Sequence, residues 1–426
     1  MDDRFSKPIA QPAITLTEYD LDNGLHVILA PSRHVPIVVT NLWYHVGSKD
    51  DPPARTGFAH LFEHMMFQGS QNIGKADHFK YVLQKGGALN ATTSFDRTNY
   101  FETLPSTDLA TALWLESDRL LSLDVTSENF ENQRAVVKEE RRQRYENKPY
   151  GTIWEYIIPA IWPTSGYHWT TIGSMEHLNQ ATVQDAQEFH AEYYKPNNCS
   201  LVLAGDFEEK EARDLIEYYF GSIPRGTPVN RNPQEIAPLD GQVRIVQEDT
   251  VNLAAVIFAF RAPNAFERDE YAMDLLEMAL SRGDSSRLYQ ELVYRRKIAS
   301  EVGSMNYGLE HTGTFNIEAK VQPESTVSEV EAALWNEIEK VRRTPLASEE
   351  LEKAKNAAEM RLVRSLASLG SRADRLQMAW CYKKDTGYIF REAEIYRSIT
   401  AEEVRECAAR YLDPEHSVVA HVVPKV

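Results

Sequence analysis

Thr182-Val-Gln-Asp-Ala-Gln-Glu-Phe189, followed by Tyr193-Tyr-Lys-Pro196 and Ser200-Leu-Val-Leu-Ala204, is the stretch that decides the fold. It occurs twice. Thr400-Ala-Glu-Glu-Val-Arg-Glu-Cys407 leads in the same way to Tyr411-Leu-Asp-Pro414 and Val418-Val-Ala-His-Val-Val423. Thr182 and Thr400, Tyr193 and Tyr411, and Pro196 and Pro414 are each separated by 218 residues. Each copy reads as a helix opened by a Thr cap, a proline turn and a buried strand. A repeat on this scale means an internal duplication. Between the copies, Gly221–Gln242 carries Pro224, Pro228, Pro233 and Pro238 without periodicity and reads as a linker. The expectation is a chain of 426 residues in two homologous domains, 1–220 and 243–426, joined by 221–242.

Outward from the repeat, strands and helices are grouped and do not alternate strictly. Leu16–Leu21, His26–Ala30 and Ile37–His45 read as antiparallel strands, with an Asp22-Asn23-Gly24 turn after the first. Helices are expected near 57–67, 74–85, 107–122, 126–146 and 180–193. In the second half, strands are expected at Val243–Gln247, Leu253–Phe260 and Thr314–Val321, with helices near 268–281, 325–342 and 348–369. This grouping gives an α+β class, each domain an antiparallel sheet packed with helices.

Composition narrows the function. The 42% hydrophobic and 26% charged content is that of a globular protein, and no apolar run is long enough to span a bilayer. The net charge of −17 speaks against nucleic acid as a partner. Cys199, Cys381 and Cys407 are odd in number and widely spaced, so no disulfide framework or cysteine metal site is expected. Met1-Asp-Asp-Arg-Phe-Ser-Lys-Pro8 has no apolar core. A cytoplasmic location is expected, or a periplasmic one if a leader has been removed.

The chemistry sits in the first half, at His60-Leu-Phe-Glu-His64. On a helix these positions share one face, so two imidazoles can reach one metal ion with Glu63 between them. The pattern is H-x-x-E-H, the inverted zinc-protease helix motif. Thr56 is the expected N-cap, and Gly69 lies just past the end. Phe58, Leu61, Phe62 and Met65 make the core-facing stripe. A catalytic zinc needs a third protein ligand. The acidic helix around Val136-Val-Lys-Glu-Glu140 offers Glu139 and Glu140, between which periodicity does not choose.

Gly57-Phe-Ala-His60-Leu-Phe-Glu63-His64-Met-Met-Phe67, with Val136-Val-Lys-Glu-Glu140 ending 76 residues after His64, resembles the pitrilysin family of zinc peptidases. That family includes insulysin and the mitochondrial processing peptidase, and the resemblance covers the whole chain. It implies that Zn2+ is held by His60, His64 and Glu140, and that Glu63 is the general base of metal-assisted peptide hydrolysis. Gln133 stands where the family often has an acid. The small-residue strand Ala88-Leu-Asn90-Ala91-Thr-Thr-Ser94 matches an edge strand to which substrate peptide adds by β-augmentation, with Asn90 and Ala91 at substrate-contacting positions. After Ser286-Arg-Leu288, an arginine and a tyrosine that hold the substrate carbonyl are replaced by Val293 and Ser300. The resemblance therefore implies a homologous second subunit that supplies the pair in a heterodimer, although a homodimer is possible. The other function class is a non-catalytic structural subunit of the same fold.

Overall fold

A computed structural model describes residues 14–231 and 234–425. Residues 1–8, read above for a leader, and Pro233 of the linker lie outside the described residues.

In the first half, strands β1 (Thr17–Asp20), β2 (His26–Pro31) and β3 (Ile37–Tyr44) precede helices α1 (Phe58–Met65) and α2 (Asp77–Gln84). Then come β4 (Ala88–Thr93), β5 (Thr98–Pro105), α3 (Leu109–Ser122), α4 (Ser127–Arg141), α5 (Trp154–Ile161) and α6 (Met175–Gln180). The first copy of the repeat supplies α7 (Val183–Tyr193) and β6 (Cys199–Gly205), and α8 (Glu209–Phe220) closes the half. In the second half, β7 (Val243–Asp249) and β8 (Ala255–Ala262) lead to α9 (Arg268–Ser281), β9 (Ala299–Gly308) and β10 (Gly313–Val321). Helices α10 (Val327–Arg343), α11 (Ser348–Ala367), α12 (Leu369–Lys383) and α13 (Glu392–Ser398) follow. The second copy of the repeat ends the chain as α14 (Ala401–Tyr411) and β11 (Ser417–Pro424). Thr182 and Thr400 both close capping boxes, with Asp185 and Glu403 respectively.

The sheets run β1-β2-β6-β3-β5-β4 and β7-β11-β8-β10-β9. Antiparallel pairing dominates both, with one parallel pair in each, β2 with β6 and β11 with β7. The first three strands alternate in direction, as expected. The second and third strands are not neighbours, because β6 lies between them, parallel to β2 and antiparallel to β3. All seven residues of β6 are buried, and a strand that apolar is most stable at the centre of a sheet. Pairing at that distance leaves no local trace.

Two helices cross between the halves. Helix α12 lies on the first sheet, where Leu376 and Ala379 join Ile28, Val39 and Val202 in one core. Its Gln377, fully buried, donates to the carbonyls of Asn41 (2.7 Å) and Ser200 (2.8 Å). In exchange, Ile157 and Ile161 of α5 pack with Ile257, Val418 and Ala420 of the second sheet. An ionic seam adds to this. Asp96, fully buried, accepts from Tyr167 (2.6 Å), Tyr382 (3.2 Å) and the Glu310 backbone (3.0 Å), and Lys49 stands 3.2 Å away. Such a group is costly to strip of its partners, so the seam fixes how the halves meet.

Candidate metal centre

Helix α1 is short, and its core stripe anchors it. Phe58, Leu61, Phe62 and Met65 are each at most 1% exposed. Its cap is not Thr56, as the sequence led us to expect. Asp51 reaches across from the preceding loop and accepts from the N–H groups of Gly57 (2.7 Å) and Ala59 (2.9 Å). Thr56 instead turns its hydroxyl to His177 Nδ1, 2.8 Å away. Gly57 has φ 95°, and a Cβ there would stand 2.6 Å from the Ile172 carbonyl oxygen, so only glycine allows this entry. The far end of α4 passes into a wider turn over Arg142–Glu146, closed by Asn147 N–H to Arg142 O at 2.7 Å.

Packing α1 on α4 brings three donors together. Nε2 of His64 lies 3.1 Å from Glu140 Oε2, and Nε2 of His60 lies 3.6 Å from the same oxygen. One ligand atom from each residue fits within 4.8 Å of the others. A tetrahedral ion with bonds of about 2.1 Å holds its ligands roughly 3.4 Å apart. The two separations bracket that value, so the donor set fits zinc in size and in chemistry. Glu139, left open with Glu140 by periodicity, points elsewhere: it is half exposed and pairs with Arg142 at 3.0 Å.

The electrostatics follow from burial. His60 is 8% exposed, and burial, then the neighbouring His64, lower its pKa to about 4. Its ring is neutral at physiological pH, with a lone pair free to donate. The hydrogen bond to His64 leads the effects that hold Glu140 below the usual carboxylate range. Burial pushes Glu63 upward, against the Thr93 hydroxyl that donates to it at 2.6 Å. His60 Nδ1 is buried without a hydrogen-bond partner. Gln133, at the position where an acid is frequent, gives its amide to Asn132 at 3.1 Å.

Asn90 and Ala91 lie on β4, the edge of the six-stranded sheet. Ala91 is buried, whereas Asn90 is exposed and its Oδ1 accepts from the Ala91 N–H at 2.9 Å. In the second half, Val293 packs against the core and Ser300 is exposed. Their neighbours are engaged or outward-facing: Arg295 with Glu291 (3.4 Å), Arg296 with Glu329 (3.2 Å), and Tyr294 66% exposed.

Sequence reasoning missed three contributors. Arg144 Nε stands 3.0 Å from Glu140 Oε1, an i,i+4 contact that spacing could have found. Thr93 and Asp51 carry no local signal. A second grouping, His78, Glu102 and Glu116, is also close enough to hold an ion. There Arg119 donates to Glu116 at 3.0 Å and stacks 4.3 Å from the Tyr100 ring. A guanidinium already supplies that pocket with its cation.

Residues 26–165 match the family model described as Insulinase (Peptidase family M16), and residues 180–358 match the one described as Peptidase M16 inactive domain. The chain is 30% identical over 343 residues to the zinc protease PqqE of Helicobacter pylori, covering 79% of this chain and 76% of that protein. It is 25% identical over 421 residues to an uncharacterized zinc protease of Streptomyces coelicolor, covering 96% and 91%. The crystal structure of a protease from Helicobacter pylori superposes with a TM-score of 0.92 at 26% identity, covering 96% of this chain and all of that one.

Proposed function

The chain belongs to the M16 family of zinc metallopeptidases, and from that premise we propose that it is a zinc-dependent endopeptidase subunit. The observation that carries the reading is the convergence of His60 Nε2, His64 Nε2 and Glu140 Oε2 with the spacing of a tetrahedral ion, on the helix that also carries Glu63. Those three side chains would hold zinc, which when bound activates a water and polarises the scissile carbonyl as a Lewis acid. Glu63 takes the proton of the attacking water on its carboxylate and returns it to the leaving amine. Burial raises its proton affinity, which suits that return. Thr93 holds the same carboxylate in place by donating to Oε2.

The edge position of β4 supports a substrate peptide adding as the next strand, with Asn90 and Ala91 in contact with it. Backbone bonds of that kind hold peptides or unfolded segments with little regard for sequence. Val293 and Ser300 favour a further element. Neither offers the charged or phenolic donor that a developing oxyanion needs, and losing one such donor costs about 10²–10³ in kcat. A homologous second subunit would supply the pair, in a closed chamber formed with this chain. The alternative is a structural subunit of the same fold; against it stand the three donors and Glu63, all within the segment that matches the peptidase model, whereas the inactive-domain model covers residues 180–358.

The test is zinc analysis with a quenched-peptide assay, with and without a candidate second subunit. Stoichiometric zinc and turnover that rises with the partner are expected. Brisk cleavage by the chain alone, unaffected by any partner, would overturn the need for one. No zinc and no turnover in either state would leave the structural reading.

A further inference from the structure

Cys199 and Cys407 each belong to an apolar core. The Cys199 thiol donates to the Pro196 carbonyl at 3.4 Å, and burial pushes its pKa far up. Burial, with Asp269 adding to it, pushes Cys407 up to about 12. Thiols held in that way are inert. Cys381 on α12 is buried as well, but among the described residues it is part of no apolar core.

Cys381 instead lines a polar pocket of 140 Å³ between α12 and the first sheet, together with Trp43, His45 and Trp380. Asp20 and Lys384, both exposed, open the pocket to solvent. Cys199 is also in the lining, but its thiol is taken by Pro196. One wall is held rigidly: the rings of His26 and Trp380 stack with centroids 3.4 Å apart, and the Lys384 ammonium stands 5.0 Å from the Trp380 ring. His45 Nε2 meets Glu310 Oε2 at 2.8 Å, and Lys49 meets the same oxygen at 3.0 Å. Cys381 is within hydrogen-bonding reach of His45. Carboxylate, imidazole and thiol thus form one relay. The carboxylate orients the ring, the ring can take the proton of the thiol, and the thiol borders space for a small reactant. Peptide hydrolysis as derived above makes no use of these three residues.

We propose that Cys381 is a peroxide-reactive thiol, oxidised to sulfenic acid by a small hydroperoxide that enters this pocket, with His45 as the proton carrier. The sulfur attacks one peroxide oxygen, so that an S–O bond forms as the O–O bond breaks. His45 takes the thiol proton and passes it to the departing oxygen, which leaves as water, or as an alcohol from an alkyl hydroperoxide. Sulfur gives up two electrons and the peroxide takes them. The pocket limits the size of the oxidant: 140 Å³ admits a molecule comparable with a few waters, not a peptide-sized disulfide such as oxidised glutathione. The modified sulfur lies where α12 of the second half rests on the first sheet, so the change is made at the junction of the halves.

The test treats the full chain with hydrogen peroxide in the presence of dimedone, which traps sulfenic acids, and follows each cysteine peptide by mass spectrometry. Cys381 should be labelled at least about tenfold faster than Cys199 or Cys407, and at least about tenfold faster than Cys381 of the same chain unfolded in urea. His45→Asn should slow the labelling about tenfold. Glu310→Gln, which keeps the imidazole and removes its orienting partner, should slow it by less. Oxidised glutathione should leave Cys381 of the folded chain unmodified. Labelling no faster in the folded chain than in the unfolded one would overturn the proposal, and this comparison needs no substitution, so it decides even where a variant fails to fold. A rate unchanged by both substitutions in folded variants would equally overturn it, and glutathionylation as fast as peroxide oxidation would refute the assignment of a small hydroperoxide.

Discussion

The two halves place a similar helix pair on a similar sheet and fill it with different chemistry. In the first, α1 follows β3 and packs on α4; in the second, α9 follows β8 and packs on α11. Helix α9 carries no histidine, and its buried face includes Met278, as that of α11 includes Ala358. Met278 is 2% exposed and Ala358 fully buried, both within one apolar core. The difference teaches what a metal centre costs its scaffold. Where the second half closes the helix pair with apolar contact, the first keeps two imidazoles and a carboxylate, one ring nitrogen of which is buried without a partner.

The largest test of that contrast is Glu63→Gln. It removes the base and keeps the ligands, so peptide turnover should fall by about 10³–10⁴ with zinc content unchanged; normal turnover would refute the assignment. Next come paired truncations, followed by chemical unfolding of the metal-free protein. Met278→Ala should lose about 3 kcal/mol by leaving a cavity, whereas His60→Ala should lose less than about 1 kcal/mol because it also removes an unsatisfied polar atom. Equal losses would mean that both helix pairs are held in the same way. Smaller again, Glu140→Gln should weaken zinc binding about 10²-fold while Glu139→Gln leaves it unaltered, as competition with a chromogenic chelator would read; the reverse order would move the ligand to Glu139.

The smallest expected effect concerns the seam where the halves meet. His45 Nε2 lies 2.8 Å from Glu310 Oε2. Burial alone would lower the pKa of His45, but Cys381 and Glu310 outweigh it and raise it to about 9. His45 and Lys49 likewise hold Glu310 well below the carboxylate range, against its own burial. A histidine raised in the folded state adds stability that is complete below its ordinary value near 6.5 and is lost as pH climbs through 9. The unmodified chain should therefore lose about 1–2 kcal/mol between pH 7 and pH 10 that His45→Asn does not lose. Parallel stability curves for the two proteins over that range would exclude His45 as the titrating group.

Much was legible before any coordinates. The repeat announced two related halves, and the stripe of Phe58, Leu61, Phe62 and Met65 put His60 and His64 on one helix. These are local signals. Periodicity, caps and turn residues act within one or two turns of chain, so a reader of the chain can weigh them directly. What escaped was non-local. Strand β5, the long edge strand β9 and helices α5, α6, α8, α12 and α13 went unassigned, and α5 and α12 turn out to be the two elements exchanged between halves.

Sequence by itself determined the class of fold, the duplicated plan and the pairing of two histidines with one glutamate on a short helix. Only the tertiary structure decided that β6 separates β2 from β3, that Asp51 caps the helix, that Thr93 holds Glu63, and that Glu140 faces the histidines while Glu139 faces solvent. The physical reason is the same in each case. Neighbouring glutamates on a helix differ only by about 100° of rotation, and which of them looks inward is set by the surface that α1 presents to α4.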